Sequence, residues 1–401
     1  MNELANLVDE AEIPVNILCI DQFSNLGGGQ RSLLDMLPAL SARGWRPSVA
    51  TPGEGPFSAA LRKRGYRTHT VACGIYASKK KPLAQVLKYA FELPRMVSSL
   101  AALTKTDEID LLYVNAPRLV PPAAWIAYRT GIPLVFHCHN RLLQHSAVTL
   151  TGQALELASA HVIACCQHAA DPLREYVEPQ RLHVLYNGVA ETAGRPRVSH
   201  RIRRIGVVGR VEVEKGQLEF VRAAKLVSKE FPDCRFAIVG APMFSGTEYY
   251  GKVIASSEQL SVDFIGWQEN MAKVYSDLDL LVVPSSASEA TTRVILEAYS
   301  AGIPVVAFPV GGIPEILHNN QTGFLAEAAT VEALAARILS VLRMDNSSVE
   351  MVVRRARREW RQRFTLQAYR DNVCNVLAQA MQPTTRGYRD ELCRSAGAFA
   401  D

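Results

Sequence analysis

The chain has 401 residues, 48% of them hydrophobic and 21% charged, and a formal net charge of +5. That composition excludes bulk disorder, and the length allows two or three domains with full-sized cores. No apolar run approaches the roughly eighteen residues a spanning helix requires, and the start MNELANLVDEAEIPV, acidic with no basic residue, lacks the positive opening of a secretory signal.

A cytosolic protein is expected, at most attached to the inner face of a membrane. The eight cysteines are scattered without a CxxC pair, several beside apolar runs, where a free thiol behaves as a small hydrophobe. Neither zinc nor a disulfide framework is predicted.

Val15–Ile20 is an apolar run followed by Asp21, then by Ser24-Asn-Leu-Gly-Gly-Gly-Gln30 and a helix predicted from about Arg31 to Arg43. Strand, glycine-rich turn and helix open a doubly wound domain. The glycines lack GxGxxG order, and the next strand, Pro47–Thr51, ends in Thr where a carboxylate would hold a ribose. A dinucleotide site is therefore not expected; Gly28 and Gly29 instead allow the backbone to approach a phosphate across a cleft.

Between Arg62 and Lys105 stand ten Lys or Arg residues against one acid, Glu92, a local balance of +9 in a chain of +5. They alternate with Tyr76, Leu83, Tyr89, Phe91 and Leu93, and a helix is predicted from Pro82 to about Leu93. Such a face attracts anionic lipid, or else is a solvated surface of a mildly basic protein. No nucleic-acid module is recognisable.

Ile109–Val114 and Leu134–His137 read as buried strands, and His139 and Asn140 follow at the carboxyl end of the second, the functional edge of an open α/β sheet. His137, inside the strand, reads as structural. After His161–Ala164 and Leu182–Leu185 comes the turn signal Asn187-Gly188, and residues 191–204 have linker composition.

A second α/β unit starts with Ile205–Gly209. Arg210 and Lys215 at the carboxyl end of that strand are two fixed cations able to neutralise a pyrophosphate, one as a fork and one as a point charge. Phe236–Gly240 and Asp263–Gly266 are the next strands, with Trp267, Gln268 and Met271 directly after. Leu280–Val283, stopped by Pro284, leads through a loop to a helix over Arg293–Ala301 that Thr291 or Thr292 caps and Gly302 ends. Glu289 precedes this helix and Glu297 lies within it. The helix start suits a phosphate, and carboxylates eight positions apart, about 12 Å if wholly helical, suit the two ends of a sugar nucleotide. The pair Asp277 and Asp279 precedes its strand, at the edge away from the cleft, so no metal site is predicted. Phe324–Ala326 is a last strand, Val331–Leu342 and two stretches within Met351–Met381 are helices, and residues 382–401 are expected to be disordered.

Taken together, GR-x4-KG, PSxxSE with a second Glu in the form LEA, AGIPVVA and GGIPE resemble the donor-binding signature of glycosyltransferase family 4, the retaining enzymes of GT-B fold. HxHN resembles the family's acceptor-side histidine, and Asn187-Gly-Val189 its hinge, with Ala190 where relatives carry Asp. Ala290-Thr291-Thr292 stands where many relatives have glycine and an aromatic. The resemblance covers nearly the whole chain.

It implies two Rossmann-like domains facing across a cleft: 1–190 on the acceptor side, a linker over 191–204, and 205–365 binding the donor, with a helix over 366–381 crossing back. It further implies transfer of a hexose from a nucleoside diphosphate sugar to a hydroxyl with retention, in polysaccharide, glycolipid or glycoconjugate synthesis. Arg210 and Lys215 would stabilise the leaving diphosphate, Glu289 hold the donor sugar, and His139 serve the acceptor. Glu297, Trp267, Gln268, Met271, Thr291, Thr292, Gly28 and Gly29 would line the nucleotide site. The donor is a co-substrate, and no separate cofactor is expected. A sugar-nucleotide epimerase and a non-catalytic nucleotide-binding scaffold are the alternatives.

Overall fold

The computed structural model describes residues 14–74, 83–192, 202–242, 246–285 and 289–382, with residues 83–87 and 246 by their backbone alone. Lys79–Lys81, most of the expected linker, Ser286–Ser288, Cys393 and all but the first residue of the expected tail lie outside them.

Among the described residues the first half holds seven strands: β1 (Asn16–Ile20), β2 (Arg46–Thr51), β3 (Arg67–Thr70), β4 (Leu111–Val114), β5 (Leu134–Cys138), β6 (His161–Ala164) and β7 (Leu182–Val184). Between them run α1 (Gly28–Ala42), α2 (Pro56–Lys63), α3 (Leu83–Thr106), α4 (Val120–Thr130), α5 (His145–Leu157) and α6 (Gln167–Ala170). The second half holds β8 (Arg204–Val208), β9 (Arg235–Val239), β10 (Val262–Gly266), β11 (Leu280–Val283), β12 (Val305–Ala307) and β13 (Phe324–Leu325). Its helices are α7 (Gln217–Glu230), α8 (Gly246–Ser256), α9 (Met271–Ser276), α10 (Arg293–Ala301), α11 (Ile313–Ile316), α12 (Val331–Arg343) and α13 (Asn346–Arg363), before the final α14 (Leu366–Ala380).

The sheets have the same plan. The first is ordered β3-β2-β1-β4-β5-β6-β7 and the second β10-β9-β8-β11-β12-β13, and every pairing is parallel. In each the chain builds outward from a central strand, then returns to the other side of it. A switch point, where a crevice opens at the carboxyl ends, therefore lies between β1 and β4 and again between β8 and β11.

Both faces of each sheet are covered, which is why the strands read as continuous apolar runs. Along β1, Leu18 and Ile20 enter one core with Met96 of α3 and Ala123 of α4, while Ile17 and Cys19 enter another with Leu33 of α1 and Phe57 of α2. Along β11, Leu280 and Val282 face α7 and α12, whereas Leu281 and Val283 face α10 and α13.

α14 crosses back onto the first sheet: Tyr369, Val373, Val376 and Leu377 are buried in the same core as Leu33 and Phe57. Each large aliphatic side chain so buried contributes on the order of 2 kcal/mol. The two chain crossings between the halves lie side by side. Val189 N–H donates to Phe364 O and Leu366 N–H donates to Val189 O, at 3.0 Å each, and a Cβ on Gly188 would come within 2.5 Å of Thr365 O. This gives a structural reason for glycine in Asn-Gly-Val.

Three features differ from the sequence expectation. α1 begins at Gly28 rather than Arg31, so Gly28 and Gly29 lie in its first turn. α3 continues through Pro94 to Thr106. The basic segment is not a single face, because α2 and α3 pack on opposite sides of the first sheet, and Arg62 and Arg67 are already paired with Glu54 and Asp107.

Candidate active site

At the second switch point the turn after β8 is pressed against the end of β11. Gly216 has φ +69°, and a Cβ there would stand 1.9 Å from Pro284 O, so only glycine fits. This approach sets Lys215 Nζ 2.5 Å from Glu289 Oε2, with both side chains largely shielded from solvent. Arg210 lies beside them in sequence and its guanidinium is 3.3 Å from the carboxylate of Glu212, a buried acid not singled out from the sequence. Both expected clamp cations are thus held by carboxylates at the carboxyl end of the sheet.

α10 begins just beyond Glu289. Thr292 occupies its N-cap position in extended conformation, yet makes no side-chain capping bond. Thr291 turns away from the helix start: its hydroxyl lies 3.4 Å from Cys165 O and accepts from Asn187 Nδ2, while Ala290 packs into the first half's core. The Ala-Thr-Thr departure therefore lies at the contact between halves. Gly312 belongs there too, since a Cβ would meet Ala290 O at 2.2 Å and Cys166 Sγ at 2.8 Å.

Glu297, on the next turn of α10, accepts from the Tyr275 hydroxyl at 2.8 Å and lies 3.9 Å from Arg293. Burial beside this carboxylate pushes the Tyr275 phenol well above its usual range. Arg293 reaches across to the first half, pairing with Asp35 of α1 at 2.7 Å. Glu315 makes a second cross-tie, accepting from the backbone N–H of Gln167 and His168 at 2.8 Å and from Tyr186 Oη at 3.0 Å.

The expected base-side residues lie at the end of β10. Gln268 Nε2 donates to Ile265 O at 3.1 Å, Met271 opens α9 and is partly buried, and Trp267 remains 40% exposed. The guanidinium of Arg31, from α1, covers the Trp267 ring at 5.3 Å from its centroid.

The first switch point carries different groups. His139 follows β5, its ring stacked at 4.0 Å on His137, and Nε2 lies 2.7 Å from Asn115 Oδ1. Asn115 follows β4 and donates at 2.6 Å to Asp21, which follows β1 and is fully buried. Burial lowers His139 to about 4, with Arg293 nearby adding to the shift, and raises Asp21 to about 6 against four hydrogen-bonded neighbours. Gly28 faces open space, whereas a Cβ on Gly29 would lie 3.0 Å from His139 Cδ2. His137 is buried against the Tyr113 hydroxyl, in the structural place read for it.

Asp279 accepts from the backbone N–H of Arg203 and Arg204 at 3.0 and 2.8 Å, at the amino end of β11 and β8. Among the described residues no group of three or more His, Cys, Asp and Glu side chains is placed to hold a metal ion, and no helix is long and apolar enough to cross a membrane.

Sequence reasoning missed Asn115, Glu212 and Arg293. The signal for Asn115 was its place directly after an apolar strand run. Arg293 sat in plain view as the first helical residue after the Thr pair, but its partner lies 258 positions away.

Two family profiles match the chain: "Glycosyltransferase Family 4" over residues 26–192 and "Glycosyl transferases group 1" over residues 202–344. A sulfoquinovosyl transferase of Arabidopsis thaliana is 26% identical over 375 residues, covering 84% of this chain and 68% of the relative. An Escherichia coli UDP-Gal:alpha-D-GlcNAc-diphosphoundecaprenol alpha-1,3-galactosyltransferase is 25% identical, covering 61% of this chain and 69% of that one. Among solved structures, Anabaena HepE in complex with UDP-glucose superimposes with a TM-score of 0.75 at 22% identity, covering 91% of this chain and 99% of that one. Sucrose-phosphate synthase of Thermosynechococcus elongatus does so with a TM-score of 0.73 at 19% identity, covering 91% of this chain and 98% of that one. None of these four is an epimerase.

Proposed function

The chain belongs to the family 4 glycosyltransferases of GT-B fold, and from that premise we propose that it moves a hexosyl unit from a UDP- or GDP-linked sugar to an acceptor hydroxyl, with retention at the anomeric carbon. The observation that carries this reading is the Lys215–Glu289 pair at the second switch point, beside Arg210 and the α10 start. A diphosphate entering there replaces the carboxylate as partner of Lys215, and Glu289 is released toward the hydroxyls of the donor sugar. Arg210, Lys215 and the helix start then stabilise the charge that develops on the departing phosphate, where fixed electrostatics acts most strongly. Glu297 holds the ribose, and Trp267, Gln268 and Met271 form the base edge, Arg31 moving off the Trp267 ring to admit it. Attack from the same face, with the leaving phosphate taking the acceptor's proton, accounts for retention without a protein nucleophile. HepE's complex with UDP-glucose favours a uridine donor among the alternatives.

A thermal-shift screen against UDP-, GDP- and ADP-sugars tests the reading. The right donor at a hundredfold excess over its Kd stabilises the protein by about 2.7 kcal/mol. No shift with any of them contradicts the proposal, and a shift without sugar transfer or release identifies a binding scaffold instead.

A membrane-borne acceptor is the companion proposal, and the outer side of α3, α4 and α5 supports it better than the whole basic segment. Among the described residues, five of the ten exposed large hydrophobics, Phe91, Trp125, Tyr128, Leu150 and Leu157, stand on these adjacent helices. Exposed Lys88, Arg95 and Arg129 lie among them, a composition suited to an anionic lipid surface. Sedimentation with anionic vesicles at low salt should capture the protein and lose it as salt rises; indifference to the vesicles points to a soluble acceptor.

A further inference from the structure

The polar groups at the first switch point form one ordered chain. Asp21 receives the Phe23 N–H on Oδ1 at 2.9 Å, the Asn115 amide on Oδ2 at 2.6 Å, and Gln30 Nε2 on both oxygens at 3.0 and 2.9 Å. Gln30 in turn accepts the Gly27 N–H on Oε1 at 3.0 Å, which fixes its own amide orientation. An ionised carboxylate only accepts, so Asn115 must aim Nδ2 at Asp21 and Oδ1 at His139. A carbonyl oxygen only accepts as well, so the proton of His139 must sit on Nε2, 2.7 Å away. Among the described residues Nδ1 has no hydrogen-bond partner. The ring is stacked on His137 on one side, and on another Gly29 comes near enough that a Cβ there would stand 3.0 Å from its Cδ2.

We propose that Asp21 and Asn115 are positioning residues for transfer: they lock His139 in the Nε2–H tautomer and so leave Nδ1 as the atom that accepts a hydrogen bond from a second hydroxyl of the incoming acceptor, the attacking hydroxyl giving its own proton to the leaving phosphate. The proposal rests on the reading of His139 as an acceptor-side residue. It follows from hydrogen-bond direction along the chain, and at neutral pH both ends stay in the required state, since Asp21 titrates at about 6 and His139 at about 4. The groups facing the imidazole are His137, Asn115, Gly29 and, at longer range, Arg293.

Asp21→Asn makes the sharp test. An amide at position 21 must turn an NH2 either toward the fixed Phe23 N–H or toward Asn115, and only the Asn115 side chain can answer by flipping. Its Nδ2 then faces His139, whose proton moves to Nδ1. In protein labelled with 15N at histidine, with the His139 signal assigned by its loss in His139→Gln, the wild type should show the Nε2–H form and Asp21→Asn the Nδ1–H form. Acceptor-dependent kcat should fall roughly tenfold or more, while the donor KM stays within about twofold.

Wild-type protein with its proton on Nδ1, or an unchanged tautomer in Asp21→Asn, overturns the proposal. Should Asp21→Asn not fold, Asn115→Asp still offers an oxygen to Nε2–H, so Nε2 must stay protonated; a proton on Nδ1 with Nε2 bare overturns the proposal equally. If the tautomer inverts as expected but His139→Gln transfers sugar at the wild-type rate, the order of hydrogen bonds is right and the acceptor role of His139 is what fails.

Discussion

The two halves of the molecule repeat one topology, and their switch points carry opposite chemistry. Between β8 and β11 the groups are charged and paired: Lys215 with Glu289, Arg210 with Glu212, and Arg293 reaching Asp35 across the cleft. Between β1 and β4 they form a hydrogen-bonded line from Asp21 through the Asn115 amide to the neutral imidazole of His139. The same kind of crevice thus carries two kinds of chemistry, depending on the residues placed just past its strands. On the proposed reading, displaceable charge would meet a diphosphate and a fixed order of donors and acceptors would meet a hydroxyl.

The largest expected effect sharpens this contrast by separating the two points. Lys215→Ala should lower turnover and weaken UDP or GDP binding by roughly tenfold or more, with the fold retained. His139→Gln should lower transfer while leaving nucleotide affinity within about twofold. Measured by titration calorimetry and single-turnover transfer, equal losses of nucleotide affinity in both variants would merge the two regions and break the comparison.

A smaller effect concerns acid. Burial is the largest cause holding His139 and His161 at about 4 and lowering His69, His137 and His183, all of them in the first half. Between pH 4 and the ordinary histidine value of 6.5 the unfolded chain therefore binds protons that the folded chain refuses, so stability is lost as pH falls through that window. Asp21 opposes this between 3.8 and about 6, where the folded chain protonates first, but it is one group against five. The unfolding midpoint should drop by several degrees from about pH 7 to about pH 5. Hydrogen exchange at the lower pH should loosen β1–β7 before β8–β13; the reverse order would show that the second half governs acid stability.

The smallest effect is none at all. The proposal makes Arg210, Lys215 and the α10 start the whole of the diphosphate's charge partners, so transfer should survive excess EDTA. Loss restored by Mg²⁺ or Mn²⁺ would show that fixed cations do not complete the donor side.

The second half is the more legible in the sequence, for a physical reason. β11 is legible as Leu280–Val283 because a buried parallel strand is an unbroken apolar run, and α10 as Arg293–Ala301 because Gly302, in left-handed conformation, ends it. Its charged residues also lie within short stretches of chain.

The other half depends on partners remote in sequence. Asp21 and Asn115 are 94 positions apart and meet only because β4 returns beside β1. The sequence hides the start of α1 because glycine suggests a turn, whereas Gln30 closes the first turn from within by accepting the Gly27 N–H. The basic segment looked like one surface because composition carries no record of which side of a sheet a helix takes.

The paired crossings at Val189 and Thr365 have a mechanical consequence. Two connections bonded side by side act as a single pivot, because Val189 is bonded to both Phe364 and Leu366. Sliding one half evenly away from the other must break both Val189 bonds, while a swing about a line through that bridge keeps them. Any swing of one half against the other should therefore leave Val189 and Thr365 nearly still, while the Arg293–Asp35 and Glu315 ties, farther from that bridge, must break.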